Sequence, residues 1–205
     1  MQAAYESSEL SEGAKRLPVR QRLDESLVKS IAAGDRYAMQ VLFQRHNVRV
    51  YRFVLRMTRD AILSEDITSE VFLDVWRQAR SFEARSQVTT WLMAIAHHKA
   101  VSAMRRPSEA QLEELTAEAI ADPSDDAETA MEKEDRSKIL RKCLTRLSPA
   151  HRAIIDLVYY HGKSVEEVAH IVGAPKNTVK TRMFYARNHI ARMLAAKGIR
   201  EAVAN

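Results

Sequence analysis

Basic, amide and hydroxyl side chains cluster between Lys176 and Arg182, where their spacing places them on or beside one side of a helix. Lysine and arginine bind phosphate groups, whereas asparagine and threonine form hydrogen bonds with phosphates or with the edges of bases. The side chains with these chemistries are Lys176, Asn177, Thr178, Lys180, Thr181 and Arg182. The segment therefore has the chemistry of nucleic-acid recognition.

The sequence around this cluster predicts a helix-turn-helix over residues 164–187. Ser164 and Glu167 have the spacing of a capping box, which begins a first helix, and Gly173 suits the left-handed residue that ends it. Pro175 suits the first turn of a second helix, where its missing amide is no loss. A solvated basic amphipathic helix is the alternative, and it would require all these features to coincide by chance.

A second polar cluster follows a loop in the first half of the chain. The apolar pattern lapses between Arg80 and Thr89, in a loop that contains an aromatic residue, an arginine and small hydroxyls. The helix that follows has a polar side formed by His97, His98, Lys99 and Ser102. Flat side chains stack on unpaired bases and cations hold the backbone, so this surface suits single-stranded nucleic acid. Alternatively, Trp91 belongs to the core and the histidines are solvated; the residues alone favour neither interpretation.

Charge is divided among three segments of the chain. Residues 136–205 contain fourteen Lys and Arg against four acidic residues, residues 108–135 contain one against eleven, and residues 1–107 contain seventeen against twelve. The whole chain has a net charge of +5. Basic ends around an acidic middle indicate two nucleic-acid contacts joined by a connector that phosphate repels.

Composition predicts an all-α protein. The 205 residues include only five glycines and five prolines, and strand patterns are absent. This length suits two small domains. The predicted division is a flexible extension over 1–24, a helical domain over 25–107, an acidic linker over 108–129, a second helical domain over 130–197 and a tail over 198–205.

Caps and apolar periodicity predict the helices that position the two clusters. Asp35 and Ser64 are predicted to cap the second and third helices, and Ser148 with Pro149 begins a later one. The second helix allows a break near Asn47. The third helix is expected to bury Ile67, Val71, Phe72, Val75 and Trp76. Its other side shows Asp66, Glu70, Asp74, Arg77 and Gln78, for which solvent alone would suffice.

The sequence contains no pattern for catalysis or for a metal. His97 and His98 diverge by about 100° on a helix and do not readily share a metal ion. A Gly-rich phosphate loop and a nucleophile with its base are both lacking. Cys143 is the single cysteine, and neither a signal peptide nor a bilayer-length apolar run is found. We therefore expect a cytoplasmic chain that is not an enzyme and needs no cofactor or metal.

With both clusters placed, the chain resembles the extracytoplasmic-function sigma factors of the sigma-70 family. The stretch AILSEDITSEVFLDVWRQARSF is similar to region 2.2 of that family, and SQVTTWLMAIAHHKAVSAMRR is similar to regions 2.3 and 2.4. The stretch from LTRLSPAHRAIIDL to KTRMFYARNHIARML is similar to region 4. The resemblance covers most of residues 25–106 and 130–196.

The resemblance implies a dissociable subunit of RNA polymerase that directs promoter-specific initiation without catalysis of its own. Its implied partners are the clamp helices of the largest polymerase subunit, the flap of the second largest, promoter DNA and an anti-sigma factor, with no insertion into a membrane. The residues implied to bind core polymerase are Asp66, Glu70, Asp74, Arg77 and Gln78.

The resemblance also implies two DNA-binding sets. Region 2 melts the −10 element through Phe82, Arg85, Ser86, Trp91, His97, His98, Lys99, Ser102, Arg105 and Arg106. Region 4 reads the −35 element through Arg152, Ser164, Lys176, Asn177, Thr178, Lys180, Thr181, Arg182, Tyr185 and Arg187.

Two departures from the family pattern limit what carries over. The family often has Arg-Asn, followed four residues later by Asp, where this chain has His97, His98 and Ser102, so no base preference is transferred. The chain also ends soon after region 4, so a separate anti-sigma factor is expected rather than an appended control domain. The alternative function is a dimeric helix-turn-helix repressor or activator, for which no heptad seam or dimer face is evident.

Overall fold

The computed structural model describes residues 19–105 and 142–196 together with Ile139, and every regular element in those ranges is helical. The predicted all-α class is therefore confirmed. The helices are α1 (Val19–Ala32), α2 (Arg36–Thr58), α3 (Ala61–Gln78), α4 (Val88–Arg105), α5 (Pro149–Tyr159), α6 (Val165–Val172) and α7 (Lys176–Ala195). A 3-10 turn covers Ala79–Ser81, and a further helical turn covers 142–145.

Several predicted features lie outside the described residues. They are the extension up to residue 18, Arg106, the acidic linker over 108–129, the predicted start of the second domain over 130–138, and residues 197–205. At the first boundary α1 begins at Val19, upstream of the predicted start at Asp24.

Asp24 joins α1 to α2 through a buried carboxylate. Its two oxygens lie 2.8 Å from Arg45 Nη1 and 3.0 Å from His46 Nε2. Burial alone would raise the pKa of Asp24, but hydrogen bonds from His46 and Arg45 lower it. The charged carboxylate is thus matched by two side chains of the neighbouring helix, as a buried charge requires.

α2 is the helix around which the first domain packs, because it contacts α1, α3 and α4. Its buried side is formed by Ala38, Leu42, His46, Val50, Phe53, Val54 and Met57. The helix continues through Asn47 without the break that the sequence allowed, since the buried side keeps its spacing there. Burial of each large apolar side chain, such as Phe53, stabilises the fold by about 1.5–3 kcal/mol.

Aspartates cap both α2 and α3. Asp35 Oδ1 accepts hydrogen bonds from the amides of Tyr37 and Ala38 at 2.8 and 3.1 Å, which confirms the predicted cap. α3 begins earlier than predicted, because Asp60 Oδ1 accepts from the amide of Leu63 at 2.9 Å.

The prediction that Ser64 caps α3 is wrong. Ser64 is fully buried inside the helix, where its hydroxyl donates to the carbonyl of Asp60 and lies 2.8 Å from the hydroxyl of Thr58. A serine within a helix commonly bonds back to the carbonyl four residues earlier, and an aspartate one turn upstream is an equally good cap.

The outer side of α3 is more apolar than predicted. Val71 and Val75 are buried as expected, but Trp76 is 37% exposed because it lies about 100° around the helix from Val75. Ile62 and Leu73, which are 74% and 50% exposed, lie on the same outer side. An apolar stripe that faces water indicates a partner surface.

The second domain begins with the predicted cap and proline. The hydroxyl of Ser148 accepts from the amide of His151 at 3.4 Å, and Pro149 is the first residue of α5. A separate apolar cluster holds α5, α7 and the turn before α5 together. Its buried members are Cys143, Leu144, Leu147, Ile155, Ala186, Ile190 and Leu194.

α6 and α7 form the predicted helix-turn-helix. Ser164 Oγ accepts from the amide of Glu167 at 3.2 Å, and Glu167 Oε2 accepts from the amide of Ser164 at 3.0 Å, which completes the capping box. Gly173 ends α6 with a φ of +63°. Pro175 lies just before α7 rather than inside its first turn, and Val179 is fully buried.

Substitution of Gly173 tests whether the turn depends on a left-handed residue. No atom lies within 4 Å of an added Cβ, so only backbone strain should act. We expect Gly173→Ala to lower the free energy of unfolding by about 1 kcal/mol and Gly173→Asn to lower it less. Urea denaturation measures both, and an alanine variant as stable as the wild type would contradict the assigned conformation.

Candidate nucleic-acid interface

The predicted reading side of α7 faces solvent. One side of the helix is buried and contains Val179, Ala186 and Ile190. The opposite side is therefore exposed to solvent. The exposed members of the predicted −35 set on this helix are Lys176, Asn177, Lys180, Thr181 and Tyr185, while Thr178, Arg182 and Arg187 are half-buried at its edges. The structure therefore brings these eight side chains together on one helix.

α6, the first helix of the motif, places the carboxylate of Glu166 next to this surface. Lys176 Nζ lies 3.1 Å from Glu166 Oε1, and the hydrogen bond from Lys176 lowers the pKa of Glu166. Ser164, also predicted to contact DNA, is exposed but uses its hydroxyl as the cap of α6.

Phe82 in the loop before α4 forms a tilted aromatic pair with Trp91 of α4. The ring centroids of Phe82 and Trp91 are 4.8 Å apart, with 35° between the ring planes. Both rings pack against the edge of the core and remain half-buried, so Trp91 contributes to the core while part of its ring stays accessible. Arg85 is exposed beside them and pairs with Glu83, and Ser86 is half-buried.

The polar side of α4 is exposed to solvent along its centre and half-buried at both edges. His98, Ser102 and Arg105 are exposed. Lys99 turns toward α3, where Nζ lies 2.9 Å from Asp74 Oδ2 and 3.1 Å from Glu70 Oε2. Burial alone would lower the pKa of Lys99, but hydrogen bonds to the two carboxylates raise it.

His97 lies half-buried at the opposite edge of α4. Burial, together with the charges of His98 and Arg182, lowers its pKa to about 4. A residue predicted to bind −10 DNA therefore lies within electrostatic reach of a residue predicted to bind −35 DNA.

Arg152 does not fit its predicted role in −35 binding. Its guanidinium is buried, with the residue 7% exposed, and burial together with nearby Arg59 lowers its pKa. The three nitrogens donate to five backbone carbonyls at 2.9–3.2 Å: those of Leu144, Thr145 and Leu147 in the second domain and of Arg56 and Met57 in α2. Since a guanidinium has five N–H groups, none remains for a phosphate.

Lys163 is a second buried cation between the domains, and no pattern in the sequence predicted its position. Its Nζ lies 2.8–3.2 Å from Gln87 Oε1, Thr89 Oγ1 and Thr90 Oγ1 at the start of α4. It also lies 2.8 Å from Glu167 Oε1, which accepts a further hydrogen bond from Thr90 at 2.7 Å. Burial alone would raise the pKa of Glu167, but these bonds, with that from the Ser164 amide, lower it to about 2.

A third polar contact joins α2 to α5. Asp156 forms an ion pair with Arg56 and lies 3.1 Å from His161 Nε2, and both Asp156 and His161 have side chains only 3% exposed. His161 meets Phe53 edge to face at 5.6 Å, and Arg56 lies 4.6 Å from the ring centre of Tyr160. An isolated acid within the apolar run IIDLVYY was the sequence feature that could have indicated a buried pair.

The described residues contain neither a metal site nor a membrane span. Among the described residues, no group of three or more His, Cys, Asp and Glu is arranged to hold a metal ion. Within the same residues, no helix combines the length and apolarity that crossing a bilayer requires.

Comparisons with known proteins match both domains. Residues 42–120 match the family Sigma-70 region 2, and residues 137–190 match Sigma-70, region 4. The ECF RNA polymerase sigma factor SigK of Mycobacterium tuberculosis is 32% identical over 163 residues, which cover 78% of this chain and 87% of SigK. The SigK of Mycolicibacterium vanbaalenii is 31% identical over 180 residues, which cover 86% of this chain and 92% of that protein.

The chain belongs to the ECF RNA polymerase sigma factors. A sigma factor binds core RNA polymerase and directs it to promoters, so the chain regulates transcription. The presence of both sigma-70 regions disfavours a dimeric helix-turn-helix repressor or activator.

Two solved structures share the fold of this sigma factor. CnrH, in complex with the cytosolic domain of CnrY, has a TM-score of 0.62 at 21% identity and covers 85% of this chain and 98% of CnrH. The sigma factor RpoE of Bartonella quintana, in complex with the anti-sigma factor NepR, has a TM-score of 0.56 at 20% identity and covers 76% of this chain and 96% of RpoE.

The lowered pKa of His97 gives the sigma factor a pH-dependent stability. An unfolded histidine titrates near pH 6.5, so acidification protonates the unfolded chain before folded His97, whose pKa is about 4. Above pH 6.5 the histidine is neutral in both states and does not lower the free energy of unfolding. As the pH drops from 6.5 toward 4, the free energy of unfolding should fall by at most about 1.4 kcal/mol per pH unit. We expect His97→Gln to weaken the fall in melting temperature between pH 7 and 5.

The matched control is His170→Gln, which changes an exposed histidine on α6. It should retain the full pH dependence. If the control and His97→Gln gave the same profile, His97 would not be the group responsible.

Proposed function

We propose that this sigma factor reads its promoter with two surfaces of different chemistry. The tilted pair Phe82 and Trp91 and the exposed side of α4 hold the unpaired −10 strand, while α7 reads the −35 element as duplex. The contrast between these surfaces supports the proposal. Aromatic stacking suits splayed bases, whereas the cations, amide and hydroxyls of α7 suit phosphates and base edges in a groove.

In the proposed −10 surface, the exposed side chains contact DNA before those that other parts of the chain engage. Stacking contributes about 1–3 kcal/mol per base, which offsets part of the cost of unpairing. The proposed members are Phe82, Arg85, Ser86, Trp91, His97, His98, Lys99, Ser102 and Arg105. His97 and Lys99 join this set only when their present neighbours on α7 and α3 give way.

The outer side of α3 is proposed to dock on core polymerase. Exposed Ile62, Leu73 and Trp76 supply apolar area, and Asp66, Glu70, Asp74, Arg77 and Gln78 supply charge and hydrogen bonds beside it. Protein interfaces commonly combine an apolar centre with a polar rim, which is the composition of this helix face. The clamp helices of the largest polymerase subunit are the proposed partner.

Control by a separate anti-sigma factor is also proposed. RpoE of Bartonella quintana, which shares the fold, was solved with the anti-sigma factor NepR. The apolar stripe on α3 is a suitable target for such a partner, because binding there would also block polymerase.

Leu73→Ser tests the docking surface. Interface side chains at an apolar centre commonly contribute 1 kcal/mol or more, so we expect a roughly tenfold weaker affinity for core polymerase. Leu23→Ser changes a leucine of α1 with similar exposure, 49%, and should leave that affinity unchanged. Fluorescence anisotropy of labelled sigma factor titrated with core enzyme measures both, and equal losses would remove α3 from the interface.

Arg182→Ala tests the reading helix. One arginine contact to a base is worth about 1–3 kcal/mol, so transcription by the holoenzyme from a promoter with both elements should fall at limiting DNA. The defect should disappear on a promoter whose −35 element is scrambled. Lys142→Ala removes an exposed cation of the second domain outside α7 and is the control. A loss confined to core binding would contradict the assignment.

A further inference from the structure

An apolar stripe runs along the outer side of α2, away from the side chains that fill the core. Its members recur at intervals of four and three residues, so they lie one above another on the helix. They are Tyr37, Val41, Gln44, Val48 and Tyr51. Tyr37 and Val48 are 73% and 55% exposed, and the half-buried Val41 and Tyr51 do not belong to the core cluster. A row of apolar side chains that faces water indicates a docking surface.

Three arginines form a basic rim along one edge of this α2 stripe. Arg45, Arg49 and Arg52 each follow a stripe residue by one position, which places them about 100° further around the helix. Arg45 pairs with Asp24, whereas neither Arg49 nor Arg52 forms an ion pair with another described residue. Arg49 is exposed and Arg52 is half-buried. The stripe and its rim therefore suit a partner that is apolar at its centre and acidic at its edge.

The apolar centre argues against nucleic acid as the occupant. Phosphates and base edges are bound by cations, amides and hydroxyls, as the exposed side of α7 provides. Unpaired bases stack on flat rings, but the two rings of the stripe, Tyr37 and Tyr51, are about 21 Å apart at ~1.5 Å per helical residue. An amphipathic helix that lays its apolar side on the stripe fits better.

The linker between the two domains contains a segment with the sequence of such a helix. Residues 108–122, which lie outside the described residues, include five acidic residues and no basic one. Ser108 and Gln111 have the spacing of a capping box, and Pro123 follows as a helix stop. The sequence of this segment therefore predicts an acidic helix of about four turns.

Helical spacing gives this segment one apolar side with acids along both of its edges. The apolar side chains are Leu112, Leu115, Ala119 and Ile120. The flanking acids are Glu109 and Glu113 at one edge, and Glu118 and Asp122 at the other. An acidic edge therefore meets the basic rim whichever way the segment runs along α2.

The linker is long enough to lay this segment on α2. Residues 106–138 connect Arg105, the last residue of α4, to Ile139. With residues 109–122 helical, the rest of the connection still extends to about 60 Å at ~3.3 Å per residue. α2 itself is only about 35 Å long. The segment can therefore reach any part of the stripe while both of its ends stay attached.

We propose that residues 108–122 dock as an acidic helix on the outer side of α2 in the free chain. Their apolar side covers the α2 stripe, and one acidic edge pairs with Arg49 and Arg52. A short tether holds the two surfaces at millimolar effective concentration, so a weak contact is sufficient. Docking hides the stripe from other copies of the chain. A partner that pulls the linker away therefore uncovers α2.

A disulfide between the stripe and the segment tests this docking in the full chain. Gln44→Cys lies at the middle of the stripe, Thr116→Cys lies on the apolar side of the segment, and Cys143→Ala removes the native thiol. A disulfide requires Cα atoms within about 7 Å. In glutathione buffers, we expect the effective concentration of the two thiols to exceed by at least tenfold the roughly millimolar value of an undocked tether.

The matched control moves the first thiol to Ser69→Cys on α3. Ser69 is exposed on the same side of α3 as Ile62 and Leu73, so it samples the other apolar surface of the first domain. Paired with Thr116→Cys, it should give only the undocked value.

Two substitutions on α2 should release the segment. Val48→Asp places a carboxylate in the stripe against an acidic partner and should lower the effective concentration about tenfold. Arg49→Glu reverses one charge of the rim and should lower it roughly threefold, with a smaller loss in 1 M salt. Arg77→Glu reverses an exposed arginine of α3 and should leave the value unchanged.

Equal values for the Gln44→Cys and Ser69→Cys pairs, or an unchanged value in Val48→Asp, would overturn the docking. Linked dimers in place of closed monomers would also overturn it, because the segment would then come from a second copy. So would binding of a short DNA duplex that Arg49→Glu abolishes, since the rim would then serve DNA. Circular dichroism establishes that each variant is folded. If Val48→Asp failed to fold, Arg49→Glu at its exposed position would decide the question.

Discussion

The guanidinium of Arg152 is the interaction on which the arrangement of the molecule most depends. It donates to three carbonyls around the turn before α5 and to two at the end of α2, so one side chain fixes the second domain internally and against the first. A lysine has only three donors and could not make these bonds. The residue most easily mistaken for a DNA contact is therefore a structural centre.

Lys99 and His97 of α4 belong to the proposed −10 surface and also interact with other helices of the chain. Lys99 pairs with two carboxylates of α3, the helix proposed to dock on polymerase, and the charge of Arg182 on α7 reaches His97. Both edges of the proposed −10 surface therefore interact with other groups of the same chain. Only the exposed middle of α4 is available at once. The surfaces proposed for polymerase and for DNA thus share side chains with contacts inside the chain.

Local chemistry was sufficient to predict the helix-turn-helix, because the capping box of Ser164 and the left-handed Gly173 are specified by neighbours in sequence. Packing between distant segments was not predictable in this way. Lys163 finds three of its four partners more than seventy residues away, and the start of α3 was decided by Asp60 competing with Ser64. Trp76 was wrongly predicted to be buried because its neighbours Val75 and Phe72 are both buried. Its side chain instead lies on the exposed outer side of α3.

We propose that one chain gives RNA polymerase a two-part promoter specificity. Run-off transcription with core enzyme and this protein on a library of random promoters tests it most directly. We expect active templates to share two separated elements and transcription to require both the protein and the core enzyme. Recovery of a single palindromic element, or binding that represses transcription and needs no polymerase, would contradict it.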